Sequence, residues 1–253
     1  MKITFLGTGT SQGVPVIACN CPVCLSDDPR DKRLRSSALV QTDERTFVID
    51  TGPDFRAQML THRVRRLDFV LFTHAHKDHT AGMDDVRAFN YVSGEAMPVF
   101  ATADTWNTLE REFSYIFNGH DYPGIPKIKR HLIDSEPFSA LGVEVVPIPV
   151  LHYRMPVLGF RIGDFAYVTD ASLIPESSLE RLQNLDVLIL NALRKEKHIS
   201  HFNLEGALEV VRILRPRRSY FTHISHLMGR HADVSAELPE NVHFAYDGLT
   251  IEV

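Results

Sequence analysis

The chain has 253 residues, of which 44% are hydrophobic, and this length supports one large domain with an apolar core or at most two small ones. Lys and Arg total 27 against 32 for Asp and Glu, a formal net charge of -5, so a nucleic-acid partner is not expected. The N-terminal apolar run is too short for a signal peptide, and no stretch approaches the roughly 20 apolar residues of a membrane span. We therefore expect a cytoplasmic protein without a membrane partner.

Apolar runs alternate with helical patterns along the chain. Strands are predicted at residues 2–6, 37–42, 46–50, 68–72, 98–101, 143–150, 157–162, 165–169, 187–190, 219–222 and 249–253. Helices are predicted at residues 54–62, 84–92, 103–113 and 204–214. This order indicates an α/β fold in which helices cover the sheets. Because no repeat or linker marks a boundary, we predict a single domain over residues 1–253.

Two loops stand out between these elements. The first, Gly7–Gly13, has Gly-x-Gly-x-x-x-Gly spacing and is followed by Pro15 rather than a helix, which excludes a dinucleotide-binding loop and favours a turn near the site. The second lies at residues 118–127, within a stretch from Ser114 to His131 that we interpret as a loop. We expect this second loop to cover the functional site.

All three cysteines of the chain lie in one short segment, at Cys19, Cys21 and Cys24. An odd and tightly spaced set argues against a disulfide framework. Cys-x-Cys-x-x-Cys supplies three of the four ligands of a tetrahedral zinc, so a structural site needs a fourth ligand from elsewhere, with histidine as the best candidate. Free thiols in a loop are the alternative interpretation.

The segment Thr73–His79 holds three imidazoles and a carboxylate directly after the apolar run 69–72. An extended backbone places His74 and His76 on one side, where one metal ion can bind both. Asp78 and His79 follow where the chain turns, so they are available to a second ion. Surface polar residues in a loop are the alternative. Three more candidates each follow an apolar strand, namely His152, Asp170 and His223.

These residues resemble the metallo-β-lactamase superfamily, whose His-x-His-x-Asp-His signature is matched at every defined position. In that superfamily a single His, a single Asp and a last His follow, each closing a strand. The resemblance implies a four-layer αβ/βα sandwich. It also implies one metal held by His74, His76 and His152, a second held by Asp78, His79 and His223, and Asp170 bridging the two.

The chain further resembles the phosphoribosyl cyclic phosphate phosphodiesterases of the carbon-phosphorus lyase pathway. They share its cysteine motif, its Gly7-Thr8-Gly9 and Gln12-Gly13-Val14-Pro15 segments, and the His-x-x-His formed by His223 and His226. This resemblance implies a structural zinc bound by Cys19, Cys21, Cys24 and His226.

Two divalent ions, zinc or manganese, about 3.5 to 4 Å apart can clamp the attacking and leaving oxygens of a phosphoryl displacement. The resemblance implies a bridging hydroxide as nucleophile, with Asp78 orienting it. His201, which precedes the helix at 204–214, is the candidate for protonating the leaving group or contacting phosphate. Its neighbour His198 competes for that function, and helix capping or a surface position is the alternative. No function is assigned to the remaining histidines His62, His120, His131, His231 and His243.

We therefore predict a phosphodiesterase that acts on a small, cyclic or linear phosphodiester, with a homodimer as a further prediction. A thioester hydrolase similar to glyoxalase II, or a lactam hydrolase, uses the same metal residues. An endonuclease that processes transfer-RNA 3′ ends is another alternative, although the chain lacks the glycine-rich basic insertion that such enzymes commonly carry. A non-enzymatic relative, as in pyrroloquinoline quinone biosynthesis, has no evident need for the full ligand set.

Overall fold

A computed structural model describes residues 1–119 and 122–253. Within these ranges the strands are β1 (Lys2–Gly7), β2 (Ser37–Gln41), β3 (Thr46–Ile49), β4 (Phe69–Leu71), β5 (Met97–Ala101), β6 (Ile128–Leu132), β7 (Phe138–Ala140), β8 (Val143–His152), β9 (Met155–Ile162), β10 (Phe165–Val168), β11 (Val187–Asn191), β12 (Arg218–Thr222), β13 (Val242–Phe244) and β14 (Thr250–Glu252). The helices are α1 (Phe55–Thr61), α2 (Lys77–Thr80), α3 (Arg87–Ser93), α4 (Ala103–Glu112), α5 (Ser114–Phe117), α6 (Glu176–Arg181), α7 (Leu204–Leu214) and α8 (His231–Ser235). None of the described helices has the length and apolar character to cross a bilayer.

The strands form two seven-stranded sheets. One has the order β14-β1-β2-β3-β4-β5-β6 and the other β13-β12-β11-β10-β9-β8-β7. The predicted hairpin is confirmed, because β2 and β3 pair antiparallel. From β3 to β6, and from β10 to β13, neighbouring strands are parallel, so their carboxyl ends meet at one edge of each sheet.

Both faces of the central strands are apolar, which is why the sequence reads as continuous hydrophobic runs. In β11, Val187 and Ile189 join a core cluster built from both sheets, while Leu188 and Leu190 pack with residues of α7. On the outside of the other sheet, Trp106 of α4 lies in a third apolar cluster. Helices therefore cover two facing sheets, and the predicted four-layer αβ/βα fold of the metallo-β-lactamase type is confirmed.

Helix α7 shows how the outer layer is specified. The Asn203 side chain accepts a hydrogen bond from the backbone N–H of Gly206, which caps the first turn. Its buried residues follow the spacing of one helical face: Ala207, Val210, Val211 and Leu214. The helix ends where Arg215 adopts a left-handed conformation. The cap also ends the loop that carries His201, so it fixes that loop beside the site.

The segment from Ser114 to His131 is not a continuous loop. It begins with α5 and ends inside β6, which pairs parallel with β5 as the edge strand of its sheet. β6 lacks an apolar face because Lys129, Arg130 and His131 occupy its centre, as is common for an exposed edge strand. The prediction that residues 118–127 cover the site includes His120 and Asp121, which lie outside the described residues.

Candidate metal centre

The predicted site residues come together at the edge where the parallel strands end. His74 lies three residues beyond β4, His152 is the last residue of β8, and His223 directly follows β12. His76 immediately precedes α2, which carries Asp78 and His79. Asp170 lies two residues beyond β10. Seven residues predicted from separate parts of the sequence thus face one another across the two sheets.

Three groups of side chains at this edge have the spacing of metal ligands, with ligand atoms within 4.8 Å of one another. These groups are Asp78 with His79 and His223, His74 with His79 and Asp170, and His152 with Asp170 and His201. The His76 ring lies 4.7 Å from the ring of His74 and 5.2 Å from that of His152, between centroids, but His76 belongs to none of the groups. Asp170 and His79 each occur in two groups, so the groups overlap at these two residues.

Buried ring nitrogens at the centre of the site are free to bind a cation. Within residues 1–119 and 122–253, the Nε2 atoms of His74, His79 and His223 are buried without a hydrogen-bond partner. His79 Nε2 lies 3.3 Å from carboxylate oxygens of both Asp78 and Asp170. Leaving buried nitrogens unpaired costs free energy, so their convergence on two carboxylates matches the donor set of a divalent ion.

The protonation states of the carboxylates and of His74 suit a cation, whereas His79 must first release a proton. Burial would lower the pKa of His79, but the charges of Asp170, Asp50 and Asp78 raise it well above its usual value. Burial alone would raise the pKa of Asp170, but the charges of His223 and His79 hold it well below its usual range. Burial would likewise raise the pKa of Asp78, and the neighbouring His79 and His223 lower it instead. Burial lowers the pKa of His74 well below its usual value, which leaves this imidazole neutral. Ionised carboxylates and neutral imidazoles are the forms that bind metals.

Asp50, which directly follows β3 and for which no function was predicted from the sequence, holds this arrangement in place. Its fully buried carboxylate accepts hydrogen bonds from the Thr73 N–H at 2.9 Å, the Thr73 hydroxyl at 2.8 Å and His79 Nδ1 at 2.7 Å. The bond to Nδ1 leaves Nε2 of His79 as the free nitrogen. In the sequence, the signal for a function of Asp50 was its position at the end of a predicted strand, where other site residues also lie.

The backbone is strained at three of these strand ends. Asp50, Asp170 and His223 have φ values of 65°, 57° and 55°, in the left-handed region that L-residues rarely adopt. Such conformations cluster at functional sites, where the surrounding structure supports their cost. The chain also packs closely just after β3. A Cβ atom on Gly52 would lie 2.2 Å from the carbonyl oxygen of Asp78, which is too close for any side chain. Only glycine therefore lets the β3 end approach the ligand-bearing helix.

His201 lies against the metal residues. Its Nε2 donates to Asp170 Oδ1 at 3.0 Å, while its Nδ1 is 3.0 Å from Ser200 Oγ and 3.3 Å from His198 Nδ1. Burial lowers the pKa of His201 to about 4, so its ring is neutral at pH 7. A neutral imidazole offers one N–H for hydrogen bonding.

The cysteine segment forms a second cluster with His226. His226 Nδ1 lies 3.3, 3.4 and 3.6 Å from the sulfur atoms of Cys19, Cys21 and Cys24. A tetrahedral zinc with Zn–S of about 2.3 Å and Zn–N of about 2.0 Å separates nitrogen and sulfur by about 3.5 Å. A hydrogen bond from the Cys24 N–H lowers the pKa of Cys21 to about 6, whereas burial raises that of Cys24 to about 11. Spacing and chemistry both match a zinc site.

The two clusters share one short segment. His223 and His226 lie three residues apart, and Ile224 between them pairs with the glycine-rich loop: its N–H donates to Thr8 O at 2.8 Å, and Thr10 N–H donates to its carbonyl at 3.3 Å. The glycine-rich loop therefore packs beside the site. The other histidines in the described residues without an assigned function, His62, His131, His231 and His243, belong to neither cluster.

Comparisons with known proteins agree with this architecture. A beta-lactamase superfamily domain is matched over residues 45–224, and fold and match together define a hydrolase of the metallo-β-lactamase fold. A solved diphosphatase of the PhnP family superposes with a TM-score of 0.93 and 39% identity, over 99% of this chain and 96% of that one. The chain therefore belongs to the beta-lactamase superfamily and, within it, to the PhnP family. The resemblance stated from the sequence is confirmed.

Other similar proteins differ in length or activity. An octanoyltransferase of Porphyromonas gingivalis is 36% identical over 252 residues, 98% of this chain, but the chain spans about half (51%) of that relative. A ribonuclease Z of Mycobacterium bovis is 28% identical over 216 residues, covering 78% of this chain and 71% of the relative. Zinc-bound PqqB of Methylobacterium extorquens, with a TM-score of 0.80 and 20% identity over 100% of both chains, shares the fold.

Proposed function

We propose that the protein is a metal-dependent phosphodiesterase that hydrolyses small phosphodiesters, including cyclic ones, at a dinuclear centre. The convergence of unpaired buried imidazole nitrogens on Asp78 and Asp170 carries this proposal. The PhnP-family diphosphatase supports phosphoryl chemistry, since its name describes hydrolysis between phosphoryl groups. Zinc-bound PqqB supports zinc as one candidate metal, with manganese as the other.

The proposed ligand sets follow the sequence prediction. One ion takes His74, His76 and His152, the other takes Asp78, His79 and His223, and Asp170 lies between them. His152 Nδ1 donates to the Ser200 carbonyl at 2.8 Å, which leaves its Nε2 available. When bound, two divalent ions lower the pKa of water and neutralise charge that develops on phosphoryl oxygens. The proposed structural zinc takes Cys19, Cys21, Cys24 and His226.

His201 is the proposed contact for the phosphoryl group or the leaving oxygen. Its ring is neutral at pH 7 because burial lowers its pKa to about 4, so it contributes a hydrogen-bond donor rather than a positive charge. Asp170 accepts from the same Nε2 atom, and this bond holds the ring towards the centre of the site. Because a neutral imidazole has a single N–H, His201 donates to a phosphoryl oxygen only when this N–H turns from Asp170 to the ligand. A donor in this place stabilises negative charge on an oxygen as it forms.

The test is turnover by metal-reconstituted protein. We expect hydrolysis of bis-p-nitrophenyl phosphate and ribose 1,2-cyclic phosphate, with S-lactoylglutathione and an octanoyl thioester as acyl alternatives. The acyl substrates belong in the panel because one relative is an octanoyltransferase. Full metal occupancy without turnover of either phosphodiester would contradict the proposal, and preferential thioester hydrolysis would replace it.

RNA processing is a second candidate because of the ribonuclease Z relatives. The net charge of -5 opposes it, since binding to a phosphate backbone depends on clustered Lys and Arg. Incubation with a transfer-RNA precursor that carries a 3′ trailer separates the two functions. Removal of the trailer at rates above those for ribose 1,2-cyclic phosphate would favour the endonuclease.

We also propose that residues 1–253 form one hydrolase domain, that the protein is cytoplasmic and that it forms a homodimer. The core cluster shared by both sheets supports the single domain. Light scattering on purified protein tests the dimer, and a monomeric mass would contradict it.

A further inference from the structure

Beside His152, three segments of the site rim are tied together. The turn after β8 meets the segment that follows Asp170, where Tyr153 N–H donates to Ser172 Oγ at 2.9 Å. The same turn meets the loop before His201 through the bond from His152 to the Ser200 carbonyl. The rim on this side is therefore one connected surface that adjoins the candidate metal residues.

Each of these segments exposes one large apolar side chain. Tyr153 is 47% exposed, Leu173 49% and Ile199 68%. In sequence they lie one, three and two residues from His152, Asp170 and His201, respectively. A charged phosphoryl group does not need apolar neighbours, so these side chains provide surface for another part of a ligand.

The Arg154 guanidinium lies over the Tyr153 ring, 5.1 Å from its centroid. Planar guanidinium and aromatic groups in this arrangement present flat, polarisable faces on which bases stack, and the cation also attracts phosphate. A ring that is half-exposed next to a phosphoryl site suits a ligand with one planar and one anionic part.

The backbone conformation at Tyr153 is unfavourable for an aromatic residue. His152 pairs with Met155 across the hairpin, so Tyr153 and Arg154 form a two-residue turn, and Tyr153 has φ of 56°. Turns of this kind favour Gly or Asn at a left-handed position, because a larger side chain adds strain. An aromatic residue that conflicts with the local preference is typical of a functional position.

We infer that Tyr153 and Arg154 form a stacking platform for a planar heteroaromatic ring carried by the substrate. The preferred phosphodiesters are then nucleoside phosphoesters rather than simple alkyl or sugar phosphoesters. This inference rests on the proposed function, because the phosphoryl group must bind at the metal residues while its nucleoside extends to the rim. Leu173 and Ile199 provide the apolar border of the platform.

Calorimetric titration of metal-reconstituted protein tests the inference without turnover. The probes are adenosine 5′-monophosphate and ethyl phosphate, which share the phosphoryl group and differ in the base and sugar. We expect the nucleotide to bind about 5- to 150-fold more tightly, the range of one stacked base. Tyr153→Asn, which tolerates the left-handed turn, should remove most of this ratio, and Tyr153→Phe should keep it. Arg154→Met should reduce it.

The matched control is Tyr91→Leu, because Tyr91 is an exposed tyrosine on α3 away from the rim. Its ratio should equal that of the wild type. Equal binding of both probes to the wild type, or an unchanged ratio in Tyr153→Asn, would overturn the platform. Either result leaves turnover of bis-p-nitrophenyl phosphate intact, whereas failure of the proposed function removes that turnover.

Discussion

Replacement of Asp50 by Asn tests how the site is held in place. The carboxylate accepts three hydrogen bonds, two of them on Oδ2, from the Thr73 hydroxyl and His79 Nδ1. An amide offers one oxygen, so its NH2 group must face either the Thr73 N–H or His79 Nδ1. When the NH2 group faces His79, it can donate to Nδ1 only if Nδ1 loses its proton and Nε2 gains one, which blocks Nε2 as a ligand.

Both orientations of the new amide in Asp50→Asn have a cost that can be measured. If the NH2 group of the amide faces Thr73, the buried N–H of Thr73 loses its acceptor, which costs about 1–3 kcal/mol of unfolding free energy. If the NH2 group faces His79 instead, metal binding weakens by about 10- to 100-fold. This is the usual effect of removing the hydrogen-bond partner of a metal-bound histidine. Because two of the three bonds converge on Oδ2, we expect the oxygen to remain there and metal affinity to fall mainly through the lost negative charge.

The assay is a competitive chelator titration of each metal site, with thermal unfolding measured in parallel. Asp68→Asn is the matched control. Asp68 lies away from the site, and its carboxylate accepts a hydrogen bond of 2.7 Å from the Thr46 N–H. This control should lose stability without losing metal affinity. If Asp50→Asn bound metal as tightly as the wild type while its stability fell, the negative charge of Asp50 would not support metal binding by His79.

Three further predictions follow from the site and its surroundings. His76→Ala should abolish turnover of bis-p-nitrophenyl phosphate without lowering Tm. An unchanged kcat would show that His76 is not a site residue, and His243→Ala is the control. Cys21→Ser should remove one zinc per chain and lower Tm by at least about 2–4 °C, equivalent to about 1 kcal/mol, and loss of activity at unchanged stability would contradict a structural zinc. Burial raises the pKa of Asp247 to about 6, above the unfolded value of about 3.9. The protonated carboxyl group therefore contributes to the stability of the fold below pH 4, and this contribution is lost as pH rises through 6. Urea unfolding should show the wild type losing about 2 kcal/mol of unfolding free energy relative to Asp247→Asn between pH 4 and pH 7, and a constant difference would refute this prediction.

The sequence predicted best those features that depend on local pattern. Strand β11 was predicted because Val187 to Leu190 are apolar on both faces, and the candidate metal residues were recognised because they follow such runs. Three of the four edge strands in the described residues were missed, because β6 is basic and β7 and β13 have only three residues each. Their pairing comes from the neighbouring strand rather than from their own composition.

The contacts of Asp50 were beyond sequence reasoning for a different reason. Its bonds to Thr73 and His79 join positions 23 and 29 residues apart, and they form only when β3 and β4 lie side by side. The position of His201 depends likewise on the cap of α7 and on Asp170, which lies 31 residues earlier. The sequence singled out His201 but not Asp50, and only the fold shows which atoms these two residues contact.

The short segment between His223 and His226 has a thermodynamic consequence if both proposed metal sites are correct. A ligand that orders this segment at one end reduces the entropy lost when a second ion binds at the other end. Linkage is reciprocal, so zinc on the cysteines and metal on His223 must raise each other's affinity by the same factor. The order in which the metals are added then does not change the final state. A chelator that removes the metal from one centre lowers the metal affinity of the other.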